Sequence, residues 1–288
     1  MAVRKTQDQY VQELAQENKR IHHMAYALIV LLIAVIVASV LKQFILTSLL
    51  LVAAILYQIF VVRRQQRAYL KKCENTNLEL STLKDFSDTD IEEKGTQLSE
   101  QDLDAAGLLP FVPKTASFFK SVHGVKEKLD ICATDCSVAQ HQHEKGVAAD
   151  INTGNWIRIR LPEHTGLNVR ILEDGLFPEA FRTDFYQKQQ LEEVARPDGI
   201  PSSMHLYTAD QEAKLPSGAF LQKFRSFTDY TPGKVAVSIR DDVLDVYIRN
   251  RFLSAGFSVR EALTKQELIR DPYPELQHVL ELVSFLIR

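Results

Sequence analysis

Residues 24–62 read MAYALIVLLIAVIVASVLKQFILTSLLLVAAILYQIFVV, an apolar run interrupted only at Lys42 and Gln43. Neither half, 24–41 or 44–62, contains Asp, Glu, Lys or Arg. As a helix each half would rise about 27 to 29 Å, close to the ~30 Å of a bilayer's hydrocarbon core. Lipid offers no water to satisfy backbone amides, so the expected form is a transmembrane helical hairpin. A buried helix pair of a soluble core rarely runs apolar on every face. A cleaved signal peptide is disfavoured by the acids ahead of the run and by the second run that follows at once. One unbroken helix would be about 58 Å long, beyond tolerable mismatch. The turn therefore falls at Lys42 and Gln43, although neither Gly nor Pro occurs in the run.

The flanks orient the hairpin. Arg4, Lys5, Lys19 and Arg20 precede the first run and Arg63, Arg64, Arg67, Lys71 and Lys72 follow the second, whereas the turn holds only Lys42. By the positive-inside rule both termini are expected in the cytoplasm, with the chain a multi-pass protein of the cytoplasmic (inner) membrane. Residues 1–73 carry ten Lys and Arg against three Asp and Glu, leaving twenty-four against thirty-four in residues 74–288. A basic collar at anionic headgroups with an acidic portion beyond it is the expected layering. The acidic soluble portion argues against a nucleic-acid partner.

Four regions follow. Residues 1–23 form a cytoplasmic N-terminal segment with a helical stripe of Tyr10, Val11 and Leu14, expected to lie on the membrane or extend the first span. Residues 24–62 are the hairpin. Residues 63–109 are a helical stalk and acidic linker, rich in helix formers to Leu83 and in carboxylates from Asp85 onward, without the order of a calcium loop. Residues 110–288 are the soluble domain. Pro110 and Pro113 punctuate its start, and Ala116, Phe118, Phe119 and Val122 suggest a short helix. Strands are expected at 129–138, 146–151, 156–161, 167–172 and 204–208, with a turn at Asn152, Thr153, Gly154 and Asn155. In 156–161 Ile157, Ile159 and Leu161 alternate with Arg158 and Arg160, as in a strand with one wet face. Segments 234–240 and 243–250 form a hairpin joined at Asp241 and Asp242. Phe220, Leu221, Phe224 and Phe227 give an amphipathic helix, and 274–287 a final helix that caps a sheet. The fold class is α+β, with a mainly antiparallel sheet and packed helices after the hairpin.

Several of these residues carry a family likeness. The Gly175-Leu176-Phe177 segment, the run from Met204 through Tyr207, Thr208, Ala209 and Asp210 to Ala213, the Phe220 to Phe227 helix, and the 235–248 hairpin with Phe252 resemble the bacterial domain-of-unknown-function 3137 family. The resemblance covers roughly residues 110–288, and it implies two N-terminal membrane helices followed by a soluble α/β region. The stretch from Lys214 to Gly218 is shorter and more polar than that pattern. The resemblance implies no catalytic residue.

Chemistry is sparse. Cys132, Cys136, His141 and His143 have the spacing of a zinc cluster. On a strand the two cysteines would share a face but stand about 13 Å apart, too far for one ion, whereas on a helix they would be one turn apart. The expectation is therefore reduced thiols and no metal or cofactor. Three cysteines, the third being Cys73 beside the basic collar, do not make a disulfide framework, as suits a reducing compartment. No phosphate-binding loop, dinucleotide fingerprint, nucleophile elbow or metalloprotease helix is present. Two functions stay open. One is a membrane-anchored interaction or regulatory module with a protein partner, homo-oligomers included, since Ala34, Ala38, Ala53 and Ala54 permit close helix contact. The other is a membrane-bound, hydrolase-like enzyme assembled from loops. Lack of local motifs favours the first.

Overall fold

The computed structural model describes residues 6–108, 115–141, 148–176, 191–197, 200–209, 214–254 and 256–287. In chain order the helices are α1 (Gln7–Val40), α2 (Phe44–Leu56), α3 (Arg63–Leu80), α4 (Glu100–Ala106), α5 (Gly218–Tyr230), α6 (Lys265–Ile269) and α7 (Glu275–Val283). The strands are β1 (Ser87–Glu92), β2 (Thr115–Lys126), β3 (Leu129–His141), β4 (Ala148–Arg160), β5 (Asn168–Glu173), β6 (Glu192–Glu193), β7 (Met204–Thr208), β8 (Val235–Arg240) and β9 (Val243–Arg249). Two units result: Met1–Lys84 with Ser254–Pro272, and Asp85–Leu253 with Tyr273–Arg288.

The first unit is helical. Thr6 starts α1 through a capping box: the Gln9 N–H donates to its hydroxyl (3.4 Å) and the Thr6 N–H donates to Gln9 Oε1 (2.8 Å). The helix then runs through both the N-terminal segment and the first apolar run without a break. It ends in a Schellman motif: the Lys42 N–H bonds the Ser39 carbonyl and the Gln43 N–H bonds the Ala38 carbonyl, both at 3.0 Å. That motif needs one left-handed residue, normally Gly, and here Lys42 takes it at φ 55°. The cost of a non-glycine residue there is about 1 kcal/mol, small beside the hydrogen bonds gained. A helical stretch from Phe44 to Leu80 returns alongside α1, with a π-helical turn at Tyr57–Val62 between α2 and α3. Two helices are thus long and apolar enough to cross a membrane. Only 6% and 11% of their most apolar windows are buried inside the protein, unlike a soluble core helix.

Beyond the apolar runs the same helices make an ordinary core. Leu14 and Ile21 of α1 pack with Tyr69 and Cys73 of α3 and with Leu268, flanked by Tyr10, Val11, Phe257, Val259 and Leu263. The stripe foreseen at the N-terminus therefore buries against protein. Ser254–Pro272 is a strap over this helix pair. Asn77, fully buried on α3, donates from one amide nitrogen to the carbonyls of Leu268 (2.9 Å) and Arg270 (2.8 Å), closing the C-terminal end of α6. Asn18 donates to the Glu261 carbonyl, and Thr82 to Asp271 at 2.6 Å.

The second unit is built on one nine-stranded antiparallel sheet in the order β1-β2-β3-β4-β9-β8-β5-β7-β6. One face carries Ile131, Ala133, Ile157, Ile159, Leu244, Val246, Val237, Ile239, Val169 and Ile171, all buried. Lys126, on that side of β2, donates to Gln277 of α7 at 3.1 Å. The opposite face mixes aromatic with charged residues and carries the candidate site.

Three expectations are corrected. The described part of the acidic stretch, 86–108, is not a solvated linker: β1 pairs with β2, α4 is a helix, and Leu98, Leu103, Ala106 and Leu108 join the core, so the sheet unit starts at Asp85 and not at 110. Asp88, Asp90 and Glu92 sit on β1, an edge strand, where charge discourages further strand pairing. Residues 116–122 are strand, because Phe118 packs on the core while Phe119 is 47% exposed, the alternation of a pleat. Residues 152–155 are not a turn but the middle of β4: a Cβ on Gly154 would meet the Ile248 carbonyl at 2.4 Å and the Tyr247 ring at 2.9 Å, so glycine there serves close strand packing. The hairpin joined at Asp241 and Asp242, the 204–208 strand, and the helices at 218 and 275 match their expected places.

Replacing Asn77 with Ala should orphan the buried carbonyls of the strap at a cost of about 1–3 kcal/mol. Limited proteolysis should then cut within 254–272 while the sheet unit stays resistant. Unchanged cleavage would contradict the clamp.

Candidate functional site

The mixed face is organised by register. Cys132 on β3 lies opposite Arg158 on β4, Arg158 opposite Asp245 on β9, and Asp245 opposite Ser238 on β8, while His123 of β2 faces Cys132 from the other side. One residue pair along, Asp130 lies opposite Arg160. The row thus sets acids and bases side by side, at the short spacing of directly paired residues.

Asp245 is fully buried and accepts three hydrogen bonds: from Trp156 Nε1 (2.9 Å), Arg158 Nε (2.7 Å) and an Arg240 terminal nitrogen (3.1 Å). Arg158 is itself buried. Its remaining nitrogens donate to the side chain and, at 2.9 Å, to the backbone carbonyl of Asp102 on α4. The position of Asp102 is dictated locally, since it is the third residue of α4 and completes the capping box with Ser99. The wet face expected for Arg158 is therefore covered by α4, and a full set of partners compensates the buried charge. Removing Asp245 would leave Arg158 short of a counter-charge, a loss on the order of 3–5 kcal/mol for a buried pair.

A cleft of about 380 Å³ opens beside this pair, lined among others by Gln97, Asp102, His123, Asp130, Cys132, Arg158 and Arg160. His123 Nε2 is bound to Asp130 at 2.6 Å. Arg160 is exposed and has no ion-pair partner among the described residues. Burial pushes the Cys132 thiol up to about 11 and, with Asp135 adding to the effect, the Cys136 thiol up to about 12. Both are protonated near neutrality and poor nucleophiles.

Cys132 and Cys136 share the mixed face of an extended strand, so four residues separate them by about 13 Å, longer than one metal bridges. The backbone of His141 ends β3, and His143 lies outside the described residues. Another group has closer donor atoms: those of His164, Asp241 and Asp242 lie within 4.8 Å of one another. Its geometry is that of a braced hairpin turn. Asp241, at φ 51°, accepts from the Gly166 N–H (3.0 Å) and binds His164 Nδ1 (2.6 Å), and those bonds hold its carboxyl below the usual range. At the far end of the sheet His205 is held between Asp174 (2.6 Å) and Glu193 (2.5 Å), both ring nitrogens occupied.

Sequence reasoning missed the Arg158, Asp245 and Asp102 network. The only signal was an arginine alternating with isoleucines, and its partners lie 56 and 87 positions away.

A pH dependence follows. Burial alone would raise the Asp102 carboxyl, but the Ser99 hydroxyl and N–H and the Arg158 charge hold it below its ordinary value. A depressed folded pKa stabilises above the unfolded value, near 3.9, and loses that contribution as pH falls through the folded one. Denaturant titrations should therefore show stability dropping below about pH 4, with a shallower drop in Asp102→Asn. Identical acid limbs for the two proteins would contradict this assignment.

No protein-family model, curated protein or solved structure matches this chain.

Proposed function

We propose that the chain is a membrane-anchored interaction module, held by the hairpin at the cytoplasmic membrane with both termini in the cytoplasm, and that its α+β unit binds a protein partner through the cleft beside Arg158. The observation that carries the binding reading is how the charges of the mixed face are used. Asp245 and Arg158 are saturated by internal partners and the neighbouring thiols are raised out of the reactive range, while Arg160, exposed at the cleft rim, has no ion-pair partner among the described residues. A free guanidinium at a polar rim suits recognition of a carboxylate on a partner. The anchoring reading is supported by the apolar side chains that the helices leave outward, such as Val40, Phe44 and Ile45, which are 75%, 74% and 81% exposed. The basic residues on the two distal flanks support the orientation. The resemblance to the domain-of-unknown-function 3137 family adds the same order of elements, a hairpin followed by an α/β region, and no activity.

Topology is testable because the endogenous thiols are silent. Cys73, Cys132 and Cys136 are all buried, so Cys73, although just beyond the collar, is no site for a labelling reagent and the wild type serves as the blank. In intact cells an impermeant maleimide should label Gln43→Cys in the turn and should leave Glu163→Cys, on an exposed loop of the sheet unit, unlabelled until lysis. The opposite pattern would place the sheet unit outside.

For the partner, a photo-crosslinking residue at Gln97 in native membranes should capture one discrete protein, and Arg160→Glu should abolish the capture. Equal capture with Arg160→Glu, or none in either chain, would contradict the cleft as the binding face.

A further inference from the structure

The acids of the mixed face are shared out unevenly. Asp245 and Asp102 both bond Arg158, and Asp130 binds His123 Nε2 at 2.6 Å, so Arg160 keeps no ion-pair partner among the described residues. The register alone does not dictate that outcome. Asp130 of β3 lies directly opposite Arg160 of β4, whereas its direct neighbour on β2 is Val125, and His123 stands diagonally, opposite Cys132. Opposite charges set directly across two antiparallel strands attract each other, and a long arginine side chain spans the short gap. The carboxylate nevertheless turns to the diagonal neighbour.

A carboxylate on so short a side chain has two ways to lean. One leads from β3 toward β2 and the other toward β4, and taking the first draws the charge away from the second. The imidazole holds it on the β2 side. An Nε2–H donates to Asp130 Oδ1 from the neutral ring as well as from the imidazolium, so the hold needs no particular charge on His123. His123, Asp130 and Arg160 line the same cleft. Asp130 therefore stands between two donors, and its lean sets the charge of the rim. Held by His123, it leaves the guanidinium of Arg160 to a ligand; turned to Arg160, it neutralises that guanidinium with an internal pair.

We infer that His123 is the positioning residue of this cleft: by holding Asp130 toward β2 it keeps Arg160 open to a carboxylate of the partner, and loss of that hold lets Asp130 close the site as a built-in competitor. The consequence for binding rests on the reading proposed above, whereas the exchange of Asp130 between two donors does not. The side chains of His123 and Asp130 are 30% and 47% exposed, so the exchange is set by ion pairs of surface strength, worth up to about fivefold in an equilibrium constant. A rim closed by that margin weakens an incoming carboxylate by about the same factor.

The exchange is measurable without the partner. In the full chain in detergent, the single tryptophan, Trp156, is buried in the sheet unit, and its fluorescence follows denaturant unfolding. A double-mutant cycle of Asp130→Asn with Arg160→Gln reads the coupling between the two side chains, and it is run with and without His123. With His123 present the two substitutions should act independently. In His123→Ala the cycle should show a coupling of about fivefold in the unfolding constant. His123→Gln, whose amide N–H reaches the place of Nε2, should restore independence, which a merely structural loss would not do. Crosslinking from Gln97 in native membranes should fall by up to about fivefold in His123→Ala and return when Asp130→Asn is added, since an amide does not neutralise Arg160. Coupling already present in the wild type, or absent in His123→Ala, would overturn the inference. So would capture that depends on Arg160 and is unchanged by His123→Ala. A wild type that captures nothing would contradict the binding reading alone, because the cycles decide the exchange.

Discussion

The described residues of the chain leave most of the hairpin's apolar surface uncovered, and that constraint shapes the helical unit. Each outward Leu, Ile, Val or Phe forgoes roughly 1.5–3 kcal/mol of burial while it faces water. α1 and α2 together present more than a dozen such side chains. A bilayer relieves the cost for all of them at once, provided that no backbone amide is left unpaired. The Schellman motif at Lys42 pairs the Lys42 and Gln43 N–H groups with carbonyls of α1 and turns the chain at the cost of one left-handed lysine. Beyond the apolar runs the logic changes. The same two helices bury Leu14, Ile21, Tyr69 and Cys73 with the Ser254–Pro272 strap, a segment the chain contributes from between β9 and α7. The helical unit is thus closed by residues far away in sequence.

The sheet unit solves a different problem. Its mixed face brings Arg158 and Asp245 out of water, and pairing with Trp156, Arg240 and Asp102 offsets the desolvation. α4 belongs to this arrangement, since Asp102 both completes its N-terminal cap and meets the arginine. Bonded in this way, Asp245 and Arg158 form a rigid support for the face, while Arg240 Nε and Ser238 Oγ beside them stay buried without a hydrogen bond among the described residues. The neighbouring cysteine thiols are pushed up by burial.

What was legible in the sequence is what short-range pattern encodes. The hairpin, the 235–249 strand pair and the 218–230 helix have periods that a window of a dozen residues reveals. Tertiary context decided the rest. Gly154 and its neighbours Asn152 and Asn155 have turn composition, yet pairing with β3 and β9 on both sides turns them into strand interior. The acidic stretch at 87–92 looks solvated because it is an edge strand, and only its pairing with β2 reveals it. The candidate site was hidden for the same reason: Arg158 finds its partners across the sheet and on a helix from an apparent linker, and no spacing rule connects them.

The function proposed for this chain depends on residues 24–62 residing in lipid. The most direct measurement is fractionation of cells followed by an alkaline carbonate wash of the membranes. The chain should remain in the pellet through the wash and be released only by detergent, whereas a chain lacking residues 24–62 should move to the supernatant. Release of the intact chain by carbonate would contradict the account.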